Sequence, residues 1–227
     1  MSTATTSPDG DLVTRAQHAD PPSGPPERPG GLLNSRGFLY AEMLVGALIS
    51  LVAAFALSVD AVALAADPGV ALACDVNSVI SCGAVGTAWQ SSVFGFPNAF
   101  LGLIAEPVVI TVAVAGLGGV RFPRWFMISA QTVYLLGLVF AYWLFAQSMF
   151  VIGALCPWCL TVTLSTTLVF VSMLHLNILD DNLRWPRRVQ SFATSFARSG
   201  ALAILTLAWL LFLVAAILLR YGAALFG

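Results

Sequence analysis

The chain has 227 residues, of which 59% are hydrophobic and only 9% are charged, and its mean hydropathy is +0.89. A water-soluble domain of this size needs far more charge on its surface, so this composition excludes one. The formal net charge of −1, with no basic stripe, gives no support to nucleic-acid binding. The chain is therefore predicted to be an integral membrane protein in contact with lipid.

The first 36 residues differ in kind from the rest of the chain. They are polar and rich in proline and glycine. Such a segment cannot bury enough apolar surface to offset the entropy lost on ordering. Residues 1–36 are therefore predicted to form a disordered tail.

Five long apolar stretches follow, at residues 38–66, 99–120, 125–147, 149–174 and 201–226. Each is long enough to cross a hydrocarbon core of about 30 Å as an α-helix. A transmembrane barrel would need short alternating segments, so the predicted fold class is an all-α membrane bundle. The first stretch ends in a possible signal-peptidase site at 63–65, but it is about twice as long as a signal-peptide core. We expect it to remain as a signal anchor.

The arginines predict the orientation of these helices, because the chain has no lysine. Nine of the ten arginines precede the first stretch, or lie between the second and third or between the fourth and fifth. Positive residues favour the cytoplasmic side, so the N-terminus and both connecting segments are predicted to be cytoplasmic. The loop at 67–98 and the turn before residue 149 are then predicted to face outward.

All four cysteines fall near that outward face. Cys74 and Cys82 stand in the 67–98 loop, and Cys156 and Cys159 form a Cys-Pro-Trp-Cys motif in the first third of the fourth stretch. Residues i and i+3 share a helix face, so the motif could close a disulfide, and the helix N-terminus favours a thiolate there. Disulfides persist outside the cytoplasm. Two pairs on one membrane face predict a thiol–disulfide oxidoreductase.

Other uses of the cysteines remain as alternatives. Buried cysteines can serve as small hydrophobic residues, and four thiolates can bind zinc, although the loop is hydrophobic for a zinc ribbon. Leu160 after the motif excludes a haem attachment site. A transporter of a soft metal ion would bind metal stoichiometrically and keep its thiols reduced. A purely structural subunit would tolerate the loss of all four cysteines.

The deeper pair needs an electron acceptor. Cys159 would lie about 4.5 Å deeper than Cys156 along a helix. The sequence has no nicotinamide or flavin fingerprint and no pair of haem histidines. A lipid-soluble quinone, menaquinone or ubiquinone, is the acceptor that reaches this depth.

Three segments in combination, CDVNSVISCG, SSVFGFPNAFLG and GALCPWCL, resemble the vitamin K epoxide reductase family in its bacterial disulfide-forming branch. The resemblance covers about residues 38–177. It implies a four-helix catalytic domain at 37–177 around a quinone, capped by the 67–98 loop, in the bacterial cytoplasmic (inner) membrane. An arginine-rich cytoplasmic loop at 178–200 and a fifth transmembrane helix at 201–227 would follow.

The resemblance also implies a role for each cysteine. Cys159 would react with the quinone, Cys156 would relay to Cys82, and Cys74 would exchange with a thioredoxin-like (DsbA-like) partner. Asn98 matches the family's asparagine that hydrogen-bonds a quinone carbonyl. Since only a loop and one helix follow the core, the partner is expected to be a separate protein outside the cytoplasm.

Two positions depart from the family pattern. Ala88 replaces a common serine, and Thr163 replaces a tyrosine of the vertebrate enzymes, which makes epoxide-type substrates less expected. Aromatic loop residues could cover the quinone or simply favour the membrane interface. These residues are Trp89, Phe94, Phe96 and Phe100.

Three acidic residues fall within the apolar stretches, where charge is costly. Glu42 and Asp60, near opposite ends of the first stretch, are expected to snorkel to water. Glu106, deeper in the second stretch, could pair, kink its helix or relay protons.

Overall fold

The computed structural model describes residues 34–226, with side chains through residue 222. Seven α-helices contain most of these residues. They are α1 (Arg36–Ala66), α2 (Cys82–Gly86), α3 (Ala99–Leu117), α4 (Arg124–Gln147), α5 (Pro157–Leu179), α6 (Arg187–Arg198) and α7 (Ala201–Phe226). A short 3₁₀ helix at Trp89–Ser92 and a π-helical turn at Ser148–Ile152 complete the set.

Five of the helices are long and apolar enough to cross a membrane: α1, α3, α4 with its π-helical extension, α5 and α7. Within residues 34–226 the structure has no β-strand beyond one isolated bridge, between Ile80 and Leu155. The predicted all-α membrane bundle is therefore confirmed. The chain is a multi-pass membrane protein.

The predicted tail at 1–36 lies outside the described residues, apart from its last three. Ser35 caps α1 by accepting a hydrogen bond from the Phe38 N–H at 3.1 Å, and Arg36 is already helical. The tail prediction therefore extended one residue into the helix. Arg36 also forms an ion pair with Asp180, which joins the beginning of α1 to the end of α5.

The start of the fourth predicted helix is wrong by eight residues, because α5 begins at Pro157 and not at residue 149. Residues Ser148–Ile152 instead continue α4 as a π-helical turn, which ends where Gly153 adopts a left-handed φ of 75°. Proline lacks an N–H and has a fixed φ, so it suits the first position of a helix. Cys156 is consequently the residue that caps α5, outside the helix itself.

Other predicted bounds also move, and the fourth predicted helix extends past residue 174 to Leu179. The second predicted helix ends at Leu117, before Gly118 and a left-handed Gly119 (φ 87°), so it does not reach residue 120. The arginine-rich segment at 178–200 is more than a loop, since it contains the amphipathic helix α6.

Helix α1 is packed closely against α3 and α5. A Cβ atom added at Gly46 would lie 2.8 Å from Val169 Cγ2, and one added at Gly102 would lie 2.7 Å from Ala54 Cβ. Small residues at such points allow helix backbones to approach each other, which favours association in lipid. The sequence thus fixes the close α1–α3 and α1–α5 crossings.

The main buried cluster joins four helices away from the cysteines. Its members are Leu39, Tyr40, Met43, Ala47, Val109, Val112, Ala113, Met127, Tyr134, Val169, Met173 and Leu176. A second, smaller cluster includes Val79 and Leu155 and adjoins the cysteines. We call the end of the bundle that contains this second cluster and the cysteines the cysteine end. Helix α7 contacts it through Tyr221, whose hydroxyl donates to the Met149 carbonyl at 2.8 Å.

Candidate active site

The loop cysteines are joined to each other. Cys74 and Cys82 form a disulfide with a Cα–Cα distance of 5.6 Å. Cys82 is the first residue of α2 and is only 3% exposed, whereas Cys74 is half-buried. A thiol of another protein would therefore reach Cys74 more readily than Cys82.

Asp75 organises the turn between these two cysteines. Its carboxylate accepts hydrogen bonds from the Gly83 N–H at 2.9 Å, the Leu72 N–H at 2.9 Å and the Ser81 hydroxyl at 2.8 Å. These bonds, led by the one from Gly83, lower the pKa of the Asp75 carboxyl below its ordinary value. The aspartate is thus held as an anion that fixes the loop.

A short parallel bridge attaches the loop to the segment before α5. The Leu155 N–H donates to the Val79 carbonyl at 2.7 Å, and the Ser81 N–H donates to the Leu155 carbonyl at 3.1 Å. Cys82 and Cys156 directly follow the two bonded segments. The bridge therefore sets these two cysteines side by side.

The two cysteine pairs meet at this point. Cys156 Sγ lies 3.4 Å from Cys82 Sγ, although 74 positions separate the residues in the chain. Both sulfurs are buried, since Cys156 is 1% exposed and Cys82 is 3% exposed. The structure thus brings together the cysteines that the family resemblance links by a relay.

The helix pair consists of two free thiols, at Cys156 and Cys159. The Cys159 N–H donates to Cys156 Sγ at 3.4 Å, as expected for a side chain that caps a helix. Cys156 lies between the two membrane spans that flank it. The hydrogen bond from the Cys159 thiol lowers the pKa of the Cys156 thiol, although burial acts to raise it, and the Cys159 and Trp158 N–H groups lower it further. The cap position therefore favours the thiolate form of Cys156.

Asn98 lies at the beginning of α3, close to the 3₁₀ helix. Its Nδ2 donates to the Gln90 carbonyl at 2.6 Å, and its Oδ1 is buried without a hydrogen-bond partner among the described residues. The Gln90 side chain, 3% exposed, in turn contacts Gln147 of α4 at 3.3 Å. The side chain of Asn98 fits a quinone. Its second Nδ2 hydrogen could donate to a quinone carbonyl, and its unpaired Oδ1 could accept a hydrogen bond from the hydroxyl group of the reduced form. Neither Gln90 nor Gln147 could be recognised from the sequence as part of the site.

Three of the four predicted aromatic residues form a surface cluster with α4. Trp89 contacts Trp143 at 6.1 Å between ring centroids, Phe94 contacts Phe140 at 5.5 Å, and Phe96 stacks on Phe94. Trp89, Phe94 and Phe96 are exposed at 65%, 56% and 40%. Phe100, the second residue of α3, is half-buried. The α4 aromatics were missed because they lie in an evenly apolar stretch.

The acidic residues of the spans have different surroundings. Glu106 is 4% exposed and accepts hydrogen bonds from the Ser50 hydroxyl at 2.8 Å and the Tyr134 hydroxyl at 3.3 Å, which fits the paired reading. Asp60 was expected to turn toward water, but its Oδ2 lies 3.7 Å from Cys74 Sγ. Spacing could not reveal this contact, because the loop returns to α1 only in three dimensions.

Asp60, Cys74 and Cys82 form the only cluster of three potential metal ligands within residues 34–226. The two sulfurs are bonded to each other, so this oxidised form offers no thiolate to a metal ion. The arrangement is instead suited to disulfide exchange, with one disulfide in contact with a dithiol.

Comparison with known proteins agrees with this geometry. Residues 41–174 match the model of the vitamin K epoxide reductase family. No curated protein matches the chain well enough to count as a relative. The match spans more than half of the chain and includes all four cysteines, Asn98, two whole membrane spans and most of two others. The chain therefore belongs to the vitamin K epoxide reductase family and is a membrane thiol oxidoreductase.

Proposed function

We propose that the protein oxidises a separate thioredoxin-like (DsbA-like) protein and passes the electrons to a membrane quinone, in support of disulfide formation outside the cytoplasm. The 3.4 Å contact between Cys82 Sγ and Cys156 Sγ carries this proposal. Thiol–disulfide exchange proceeds by attack of a thiolate on a disulfide sulfur, so electrons cross between pairs only where sulfurs meet. A structural role would not need two pairs in contact.

Electrons enter at the half-buried Cys74. A partner thiol attacks Cys74 Sγ, the Cys74–Cys82 bond breaks, and Cys82 leaves as a thiolate. When the helix pair is in its disulfide form, Cys82 attacks Cys156, the Cys156–Cys159 bond breaks, and Cys159 takes the electron pair. Each step exchanges one S–S bond for another.

The second partner thiol then completes the exchange. It attacks the partner's own sulfur in the mixed disulfide, which frees Cys74 and leaves the partner oxidised. Cys74 attacks Cys82, restores the loop disulfide and releases Cys156. The result is a loop disulfide beside a helix dithiol, the state that the structure has.

The helix dithiol must then lose two electrons and two protons. A bound quinone supplies an acceptor for both. Asn98 would hold one of its oxygens through the side-chain amide, and the cluster of Trp89, Phe94 and Phe96 with the α4 aromatics would cover the ring. Cys159, the deeper member of the pair, would be the thiol that reacts with the quinone.

The arginine distribution supports an orientation. With nine arginines on one side, the N-terminus and α6 would be cytoplasmic. The cysteine end would then face outward from a bacterial cytoplasmic membrane, where oxidised partners accumulate.

Turnover by the purified protein tests the proposal. Reduced DsbA serves as the electron donor, because a folded protein cannot enter the buried helix pair, and ubiquinone-1 serves as the acceptor. We expect loss of quinone absorbance that requires both the protein and reduced DsbA. Cys159→Ala should abolish quinone reduction but still form a mixed disulfide with DsbA, whereas Cys74→Ala should lose that mixed disulfide.

The proposal fails if the wild-type protein does not reduce the quinone, or if Cys159→Ala reduces it at the wild-type rate. Menaquinone in place of ubiquinone-1 identifies the preferred acceptor. The metal-transporter alternative predicts stoichiometric binding of copper(I) by thiols that stay reduced in the presence of quinone.

A further inference from the structure

A cleft lies between α1, α5 and α7, at the end of the bundle opposite to the cysteine end. Its volume is about 170 Å³, and leucine and other apolar side chains form most of its lining. Glu42, Ser172 and His175 are among the polar residues that line it. His175 is sixteen residues after Cys159, about 24 Å away along α5. The cleft is therefore separate from the candidate active site.

Helix α7 forms one wall of the cleft and has few protein contacts of its own. Only 6% of its membrane span is buried by protein, against 50% of the α5 span. It also lies beyond residues 41–174, which match the family. A span that is so little covered by protein presents its surface to the lipids around it. Lipid is therefore the molecule that has direct access to the cleft.

His175 is a polar group in the cleft that needs a partner. The residue is only 7% exposed, and its Nε2 is buried without a hydrogen-bond partner among the described residues. Glu42 differs, because the Ser172 hydroxyl faces its carboxyl group. Buried polar atoms nearly always have a partner. A water molecule would itself need about two to four polar partners, which an apolar cleft does not favour.

A positive charge lies beside the mouth of the cleft. Gly200 lines the cleft just before α7, and Arg198, two residues earlier, is exposed. The Arg198 carbonyl accepts a hydrogen bond from Asn34 Nδ2 at 2.8 Å, which holds this residue near the beginning of α1. A guanidinium group is well suited to bind a phosphate.

We propose that this cleft binds one anionic phospholipid. An acyl chain occupies the cleft, an ester carbonyl oxygen accepts a hydrogen bond from His175 Nε2, and the phosphate binds Arg198. An apolar cavity of about 150 Å³ holds a guest of benzene size, so the cleft takes only a segment of the chain. The rest of the lipid lies along α7. The lipid thereby fills the gap between α7 and the core, whatever the redox function of the protein.

Glu42 limits how deep the phosphate can lie. It is four residues after Phe38 on α1, about 6 Å farther from the mouth. Its carboxylate would repel a phosphate at its own depth. The headgroup therefore stays at the mouth beside Arg198. His175 is nearer to the mouth than Ser172 by about one turn of α5, which suits the ester groups that follow the phosphate.

Native mass spectrometry of the full-length protein tests the charge. Delipidated protein in detergent is titrated with dioleoylphosphatidylglycerol or dioleoylphosphatidylcholine, and the dissociation constants of the first bound lipid are compared. One arginine near a membrane surface corresponds to about a fivefold preference for the anionic lipid. Arg198→Gln should reduce this preference to less than about twofold. Arg188→Gln, at the other end of α6, should retain it. Equal affinity of the wild type for the two lipids would overturn the proposal.

A matched pair of alanines on α7 tests the cleft. Ala203 lines the cleft, whereas Ala208, five residues later, lies on another side of the helix. Ala203→Phe should weaken binding of the first phosphatidylglycerol by at least about fivefold, because its ring would fill the cleft. Ala208→Phe should bind it as the wild type does. If Ala203→Phe does not fold, Ala203→Leu is compared with Ala208→Leu. Equal binding by the two members of a pair would refute the site.

Two substitutions at His175 test the hydrogen bond. His175→Phe keeps a ring but removes Nε2, and it should weaken binding of the first phosphatidylglycerol by about 2–12-fold. His175→Gln, whose amide can donate from a similar position, should bind more tightly than His175→Phe. Wild-type affinity in His175→Phe, or equal losses in the two variants, would contradict the proposal. Displacement of the lipid by ubiquinone-1 would assign the cleft to a quinone and would also overturn it.

Discussion

Trapping a disulfide between the two pairs is the most direct test of the relay. The double variant Cys74→Ala, Cys159→Ala leaves Cys82 and Cys156 without their usual partners. Their sulfurs lie 3.4 Å apart. An S–S bond is about 2.05 Å long, so closure needs a movement of only about 1.4 Å, within reach of small χ1 rotations. We expect mild oxidation to convert most of the protein to the Cys82–Cys156 disulfide.

The complementary variant Cys82→Ala, Cys156→Ala provides the control with the same number of thiols. It retains Cys74, which contacts Asp60, and Cys159, which lies in the first turn of α5. Two sulfurs that the fold holds in contact, such as those of Cys82 and Cys156, react at effective concentrations far above those of thiols that meet by diffusion. The first variant should therefore oxidise at least about tenfold faster than the control.

Mass spectrometry of differentially alkylated peptides reads out both variants. The peptides that contain residues 82 and 156 should be linked in the first variant, at a yield independent of protein concentration. Equal rates in the two variants, or no Cys82–Cys156 disulfide at all, would refute the relay. The bridge between Ile80 and Leu155 would then fix the loop without serving electron transfer.

Three further predictions concern the quinone site, the packing and the topology. Asn98→Ala should raise the KM for quinone by about 2–12-fold, since a buried amide hydrogen bond contributes about 0.5–1.5 kcal/mol. Exchange with DsbA should stay unchanged in this variant. An unaltered KM would show that Asn98 does not bind the quinone. Gly46→Ala should lower the free energy of unfolding by about 1–3 kcal/mol, because its Cβ would lie 2.8 Å from Val169 Cγ2. Gly137→Ala, whose Cβ would meet nothing within 4 Å, is the control, and equal denaturant midpoints would contradict the packing argument. A reporter fused after Gly227 should be located outside the cytoplasm, and a reporter inserted near Arg187 should be located inside it. Five spans and the arginine bias require this orientation. A cytoplasmic C-terminus would contradict it.

The sequence alone determined the membrane class, the five spans and the family. Hydrophobic runs of this length have one stable form in lipid, since only helices satisfy their backbone groups internally. The predicted fifth helix, at 201–226, agrees with α7 at both ends. The CDVNSVISCG and GALCPWCL motifs identified the family because their cysteine spacing is specific in combination, and the family match contains both.

The tertiary structure decided what depends on contacts between distant segments. The eight-residue error at the start of α5 arose because an apolar run looks the same in an α-helix, a π-helical turn and an extended segment. Gly153 and the bridge from Leu155 to the loop separate these states. The same bridge sets Cys82 against Cys156, and the returning loop sets Cys74 against Asp60. Periodicity and spacing describe one segment at a time, so neither contact could be read from the sequence.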